Sequence, residues 1–243
     1  MAKEIKNDRI KQAIILAAGS GTRMKSRIPK PLLTVHGKMI IEHKLQDLQK
    51  HDVDVCLVIN PKDEQLFRDK LKNYDLKYCY QKKALGTGNA VYAAKDFINS
   101  ELFLVMMGDD LVEFDVKSAL QSTKPIVFGY PVNDLSKYGA LLVNKNGTVS
   151  DIIEKRMSGK GLANSGVYIM PRKLFTYYDE LRAESKKTEE YLTYAVKVLS
   201  KHGLRFKLGR LRKWYGINTQ TELFKAHVFS LRDSTSKMIG LDR

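Results

Sequence analysis

The chain has 243 residues and a mass of 27.7 kDa; it is 43% hydrophobic and 28% charged, with 42 basic against 27 acidic side chains and a net charge of +15. This is the composition of an ordinary globular protein with apolar surface enough for one large core, and it excludes collagen, coiled coil and intrinsic disorder. The positive balance suits anionic partners, from nucleotides and sugar phosphates to nucleic acid, without choosing among them.

Along the chain, short apolar runs alternate with amphipathic ones. Lys3, Lys6, Arg9 and Lys11 before the apolar run 13–18 imitate a secretory leader, but the run stops after six residues at a glycine-rich loop. No apolar stretch approaches the roughly 18 residues of a membrane span, so the expectation is a cytoplasmic chain. Residues 12–17 predict a buried strand, 39–51 a helix with Ile40, Ile41, Leu45 and Leu48 on one face, and 53–59 a second buried strand. A helix over 63–72, a strand over 76–80, a helix over 88–98 and a buried strand over 102–107 follow. Strand and helix in alternation imply right-handed crossovers and a mostly parallel sheet flanked by helices.

The second half changes character. Strands at 138–143 and 148–154 flank the turn signal Asn144-Lys-Asn-Gly147, and 163–170 is another strand. Pro171 suits a helix start. Residues 189–200 predict a helix and 219–232 a C-terminal one. Residues 204–214 alternate apolar and basic, as one half-exposed strand whose charges guard a sheet edge or face a phosphate. Cys56 and Cys79 form no CxxC and are expected as small core residues in a reducing compartment. The expected fold class is α/β with an antiparallel extension, one domain over 1–243 divided into 12–130, 131–218 and 219–243.

The chemistry concentrates after the first strand, in Gly19-Ser-Gly-Thr-Arg-Met-Lys-Ser26 and Pro29-Lys-Pro31. Met24 stands where a Walker loop, and equally a dinucleotide fingerprint, requires glycine. The physical logic of phosphate binding is nevertheless present: small residues let backbone N–H groups approach closely, and Arg23, Lys25, Arg27 and Lys30 supply four cations. Such a loop follows the carboxyl end of a strand, where open α/β sheets bind ligands.

The segment LAAGSGTRMKSRIPKPLL resembles the signature of the sugar-1-phosphate nucleotidyltransferases, LAAGxGTRM followed by PK. With six residues, Met24 to Pro29, between Arg23 and Lys30, it is most similar to the uridylyltransferase half of the bacterial bifunctional N-acetylglucosamine-1-phosphate uridylyltransferases. Gln81 to Ala90 resembles that group's QxxxLGTGHA segment, and Met107-Gly-Asp109 its GD step. Tyr138-Gly139, Ile153-Glu154, Asn164-Ser-Gly166, Tyr191-Leu-Thr193 and Gly216-Ile-Asn218 resemble its YG, VE, NTG, YLT and GVN elements, in the same order.

The resemblance implies a Rossmann-like, GT-A-like nucleotidyltransferase fold with an antiparallel sugar-binding extension. It implies attack of N-acetylglucosamine-1-phosphate on the α-phosphorus of UTP, giving UDP-N-acetylglucosamine and pyrophosphate. Arg23 and Lys30 are then the catalytic cations. Leu16, Ala17, Ala18, Gly19, Gln81, Gly86, Thr87 and Gly108 hold the nucleotide, and Gly139, Glu154, Asn164, Tyr191 and Thr193 the sugar. Asp109 and Asn218 hold Mg²⁺, which typically takes only one or two protein oxygens. A phosphate monoester is largely dianionic at neutral pH, so no general base is needed. The expected partners are UTP and the sugar phosphate, without nucleic acid or membrane; a homo-oligomer is left open.

Four positions depart from the pattern. Ala84 replaces a glutamine, Asn89 a histidine, Met107 an aromatic residue and Ser165 a threonine. They leave open a relative that uses glucose-1-phosphate, or TTP or CTP. The chain carries no hexapeptide repeats, so acetyl transfer is not expected.

Overall fold

The computed structural model describes residues 9–19, 26, 28–185, 189–217 and 219–228. Arg23 and Asn218 lie outside them. The first half contains β1 (Gln12–Leu16), β2 (Thr34–Val35), β3 (Lys38–Met39), α1 (Ile40–Gln49), β4 (Asp54–Ile59), α2 (Glu64–Lys70), β5 (Leu76–Tyr80), α3 (Thr87–Ala93), β6 (Leu102–Met107), β7 (Asp110–Glu113) and α4 (Val116–Leu120). The second contains β8 (Ile126–Val132), β9 (Gly139–Val143), β10 (Thr148–Glu154), β11 (Gly161–Pro171), α5 (Tyr178–Glu184), α6 (Tyr194–Lys201), β12 (Phe206–Arg210) and β13 (Lys213–Gly216).

One mixed sheet of nine strands runs β5-β4-β1-β6-β11-β8-β12-β10-β9. Its β5-β4-β1-β6 part is parallel, as the strand–helix alternation requires. From β11 onward the pairing is antiparallel except for β8 with β12. The antiparallel share is therefore larger than the sequence alternation alone suggests.

The central parallel strands are buried on both faces. All five residues of β1 are buried, and they alternate: Ile14 and Leu16 pack with Val91 and Val196, Ala13 and Ile15 with Leu45 and Phe67. This is why β1 reads as a continuous apolar run rather than a half-polar strand. Helices α3, α5 and α6 cover one face, and α1, α2 and α4 the other. No helix among the described residues is long and apolar enough to cross a membrane.

Four expectations are corrected. The helix expected over 88–98 ends at Ala93 and gives way to a 3-10 turn, Lys95–Phe97. The helix expected from 189 starts at Tyr194; residues 189–193 are needed elsewhere, as shown below. The helix expected from Pro171 begins as a 3-10 turn, Arg172–Phe175. The single basic strand 204–214 is two strands in two sheets, because Leu211 turns into the core between them. β12 lies between β8 and β10, not at an edge, and β13 pairs with β7. The C-terminal helix is described over 220–228 and packs Leu223 and Ala226 against Val35 and Ile40.

Candidate active site

The parallel strands β1 and β6 end side by side, Leu16 pairing with Met107. Beyond those ends lies a cleft of about 320 Å³, the position at which open α/β sheets bind ligands. Leu16, Ala17, Ala18 and Gly19 form one wall, and Gln81, Gly86 and Thr87 another. Gly108 is packed behind the first wall: its N–H donates to Leu16 O at 2.8 Å, and a Cβ there would lie 2.8 Å from the same oxygen. The glycine is thus required by the close approach of two strand ends.

Lys30 and Asp109 meet at the floor. Lys30 follows Pro29 in a 3-10 turn, and its Nζ donates to Asp109 Oδ2 at 3.0 Å with only 11% of the side chain exposed. A cation and a carboxylate seventy-nine residues apart are thereby brought together in the cleft. The next residue points the opposite way, as alternation in an extended segment demands. Asp110 is half-buried against Trp214, whose Nε1 donates to Oδ2 at 3.0 Å. Burial, with the charge of Asp109, pushes the Asp110 carboxyl up to about 7. Lys44 of α1 is buried and donates to Asp110 O. Burial brings its ammonium down to about 8, against the opposing pull of Asp110 and Asp109.

Among the described residues no three His, Cys, Asp or Glu side chains converge as a metal cage. Asp109 offers one hard oxygen at the cleft, which fits a cation that fills its octahedron mainly with phosphate and water oxygens.

The loop carrying Gly86 and Thr87 is clamped by segment 189–192. Glu190 N donates to Leu85 O at 2.7 Å, Gly88 N to Glu190 O at 2.6 Å, and Leu192 N to Thr87 Oγ1 at 2.9 Å. Gly86 adopts φ +116° and ψ 174°, a region that only glycine occupies readily, and a Cβ on it would lie 2.7 Å from Glu190 N and O. The same segment brings Glu189 into the cleft.

The five expected sugar residues do not line this cleft. Gly139 and Glu154 are register partners on β9 and β10, and a Cβ on Gly139 would lie 3.1 Å from Glu154 Oε1. Burial raises the Glu154 carboxyl above the usual range, offset in part by the nearby Thr193 hydroxyl. That hydroxyl is buried and makes no hydrogen bond of proper geometry among the described residues. The Tyr191 hydroxyl is pushed up by Glu189 and by burial. Asn164 is engaged locally: Nδ2 donates to Tyr168 Oη at 2.6 Å, and Oδ1 accepts from Gly166 N at 3.2 Å.

Of the four departures, Ser165 does not line this cleft. Its hydroxyl is buried and donates to Phe128 O at 2.8 Å. Ala84 and Met107 line the cleft, and Asn89 bonds Gln81. Sequence reasoning missed Glu189, Glu190, Lys44 and Trp214. Lys44 had a signal, a lysine on the apolar stripe of α1 beside Ile40, Ile41, Leu45 and Leu48. Glu189 and Glu190 had none beyond their place before Tyr191.

A nucleotidyl transferase family model matches residues 12–233. The bifunctional protein GlmU of Methanococcus maripaludis strain S2 is 30% identical over 235 residues, 94% of this chain and 56% of that protein. The chain therefore spans about half the length of that relative. The D-glycero-alpha-D-manno-heptose 1-phosphate guanylyltransferase of Campylobacter jejuni is 32% identical over 189 residues, 74% of this chain and 84% of that protein. The crystal structure of HddC from Yersinia pseudotuberculosis superposes with a TM-score of 0.70 at 27% identity, covering 90% of this chain and 98% of that one.

Proposed function

The chain belongs to the nucleotidyl transferase family, and from that premise we propose that it transfers the uridylyl group of UTP to N-acetylglucosamine-1-phosphate, in the cytoplasm and as a single catalytic domain. The observation that carries this reading is the meeting of Lys30, Asp109 and Gln81 in one cleft at the ends of β1 and β6.

A sugar-phosphate oxygen attacks the α-phosphorus in line, and pyrophosphate leaves. The nucleophile is already largely dianionic at neutral pH, so the residues need not remove a proton. Their task is to bring two polyanions together and to neutralise the charge that develops. Lys30 is a point cation, suited to the triphosphate and the departing pyrophosphate. Arg23, four positions after Gly19 in the sequence, is assigned the bidentate part of the same task. Gln81, Gly86 and Thr87 hold the nucleoside. Gly139, Glu154, Asn164, Tyr191 and Thr193 are assigned to the sugar, where the buried hydroxyl of Thr193 and the half-buried carboxyl of Glu154 supply polar groups. Asp109 and Asn218 would hold Mg²⁺, which supplies charge neutralisation across the phosphates when bound.

A second reading keeps the chemistry and changes the substrates to another sugar-1-phosphate, such as glucose-1-phosphate, or another nucleotide. Ala84 favours it, since a small side chain stands in the cleft wall where the pattern has glutamine. Pyrophosphate release with Mg²⁺ separates the two. Each of UTP, TTP, CTP, GTP and ATP is paired with N-acetylglucosamine-1-phosphate and with glucose-1-phosphate. Fast release with UTP and the acetylated sugar alone is the expected result. Release with a different pair establishes the second reading, and no release with any pair refutes both as far as these acceptors go.

A further inference from the structure

A directed chain of hydrogen bonds leads out of the cleft to a buried carboxylate. Gln81 Nε2 donates to Gly86 O at 2.9 Å and to Asn89 Oδ1 at 3.2 Å. Asn89 Nδ2 donates to Tyr178 Oη at 3.1 Å. The Tyr178 hydroxyl donates to Glu190 Oε2, and Arg182 Nε approaches Glu190 Oε1 at 3.5 Å.

The direction of every bond follows from its far end. An ionised carboxylate only accepts, so Tyr178 must direct its one proton to Glu190. The phenol oxygen can then only accept from Asn89. Asn89 must turn its NH2 group toward Tyr178 and its carbonyl toward Gln81. Gln81 must in turn donate, and the carbonyl of Gly86 demands the same sense from the other side. Oε1 is the polar atom that Gln81 has left to offer, and Gln81 lines the cleft. Among the described residues nothing else bonds it.

We propose that Glu190, acting through Tyr178 and Asn89, fixes Gln81 as a hydrogen-bond acceptor toward the base and so selects nucleotides whose pairing edge carries an imino N–H. Uracil, thymine and guanine carry that donor; cytosine and adenine present an acceptor ring nitrogen in its place. The inference rests on reading the cleft as a nucleoside triphosphate site. Both ends of the relay are anchored. Tyr178 stacks on Tyr92 with ring centroids 3.7 Å apart and planes 8° from parallel. The Glu190 backbone is bonded on both sides to the loop that carries Gly86. Burial and the bond to Glu190 keep the Tyr178 hydroxyl protonated well above its ordinary range, and the Arg182 guanidinium stands beside Glu190 as its counter-charge.

The test measures dissociation constants for UTP, TTP, GTP, CTP and ATP by calorimetry on the full chain in Mg²⁺ buffer. Parent, Glu190→Gln and Tyr178→Phe are compared, with circular dichroism melts for each. The first substitution ends the relay on an amide that can either donate or accept. The second removes the hydroxyl and keeps the ring stack. The parent is expected to bind one or more imino-bearing nucleotides well ahead of CTP and ATP. Both variants are expected to lose about tenfold or more of that preference, mainly by weaker binding of the favoured nucleotide. A purely structural role would weaken all five nucleotides alike and leave the ratio where it was. Where Glu190→Gln fails to fold, Tyr178→Phe carries the test alone.

An unchanged ratio in folded Tyr178→Phe overturns the relay and leaves the proposed reaction standing. A parent that prefers CTP or ATP overturns the relay as well. A parent that prefers GTP or TTP, with the preference lost in the variants, supports the relay and overturns the UTP reading. A parent that binds none of the five overturns both.

Discussion

Replacing Gly86 by alanine places a Cβ 2.7 Å from Glu190 N and O, in a backbone conformation of φ +116° and ψ 174°. The conformation itself costs a side-chain-bearing residue about 1–3 kcal/mol. The overlap adds about 1–3 kcal/mol, since the opposing atoms are backbone and cannot rotate away. A domain of this size holds about 5–15 kcal/mol in all, so the fold survives and the loop moves instead. Moving it breaks the bonds between Glu190 N and Leu85 O and between Gly88 N and Glu190 O. Nucleotide binding should weaken at least about 30-fold, the equivalent of the lower bound of about 2 kcal/mol. Calorimetric titration with UTP reads the loss, and a circular dichroism melt reads the fold. Gly147→Ala is the control: its φ is +76° in an exposed turn with nothing within 4 Å of the added carbon, so it carries strain alone and nucleotide binding stays at the parent value. Gly86→Ala binding UTP as tightly as the parent would refute the claim that the 189–192 segment shapes the nucleotide loop.

Lys30→Ala should lower kcat/KM for pyrophosphate release by about 10²–10³, and Lys30→Arg should recover part of it, because charge is kept while the point geometry is not. Equal activity in all three proteins would remove Lys30 from the mechanism. Asp109→Asn should raise the magnesium concentration for half-maximal activity and weaken Mn²⁺ binding seen by electron paramagnetic resonance; unaltered Mn²⁺ binding would clear Asp109 of that role. Trp214→Phe removes the donor to the half-buried Asp110 and should cost about 1–3 kcal/mol in urea unfolding followed by circular dichroism. Glu154, held above the ordinary carboxylate range by burial, binds its proton more readily folded than unfolded. Its stabilising contribution is therefore complete below the unfolded value and lost as pH rises through the folded one. As pH rises above the unfolded carboxylate value of about 4.3, the parent should lose more stability than Glu154→Gln, with parallel pH curves for the two counting against the assignment.

The fold of residues 12–130 was legible because each of its signals is local. The run 12–17 reads as a buried strand, and the glycine-rich sequence after it points to the ligand end of the sheet. Asp109 was legible for the same reason, as the polar residue that closes a buried strand. The relay was not. Gln81, Asn89, Tyr178 and Glu190 are joined by tertiary packing over more than a hundred residues, and no spacing announces such a set. The helix expected from 189 failed instructively. Its apolar period over Leu192, Ala195, Val196 and Leu199 is real, but the first residues give their backbone groups to the 85–88 loop rather than to a helical turn. Residues 204–214 misled through alternation: period two is satisfied equally by one strand and by two strands separated at Leu211.

Segment 189–193 has a consequence for the order of events. Its first residue lines the cleft together with Gln81 and Asp109, and its last buries a hydroxyl near Glu154, with no regular structure between to absorb a shift. A ligand that repositions one end therefore changes the free energy of the other. By thermodynamic reciprocity, whatever factor a nucleotide in the cleft imposes on occupancy beside Glu154 is the factor that occupancy returns to the nucleotide. In the proposed reaction these five residues would tie the nucleotide event to the sugar event, through the bonds by which Leu85 and Gly88 hold Glu190.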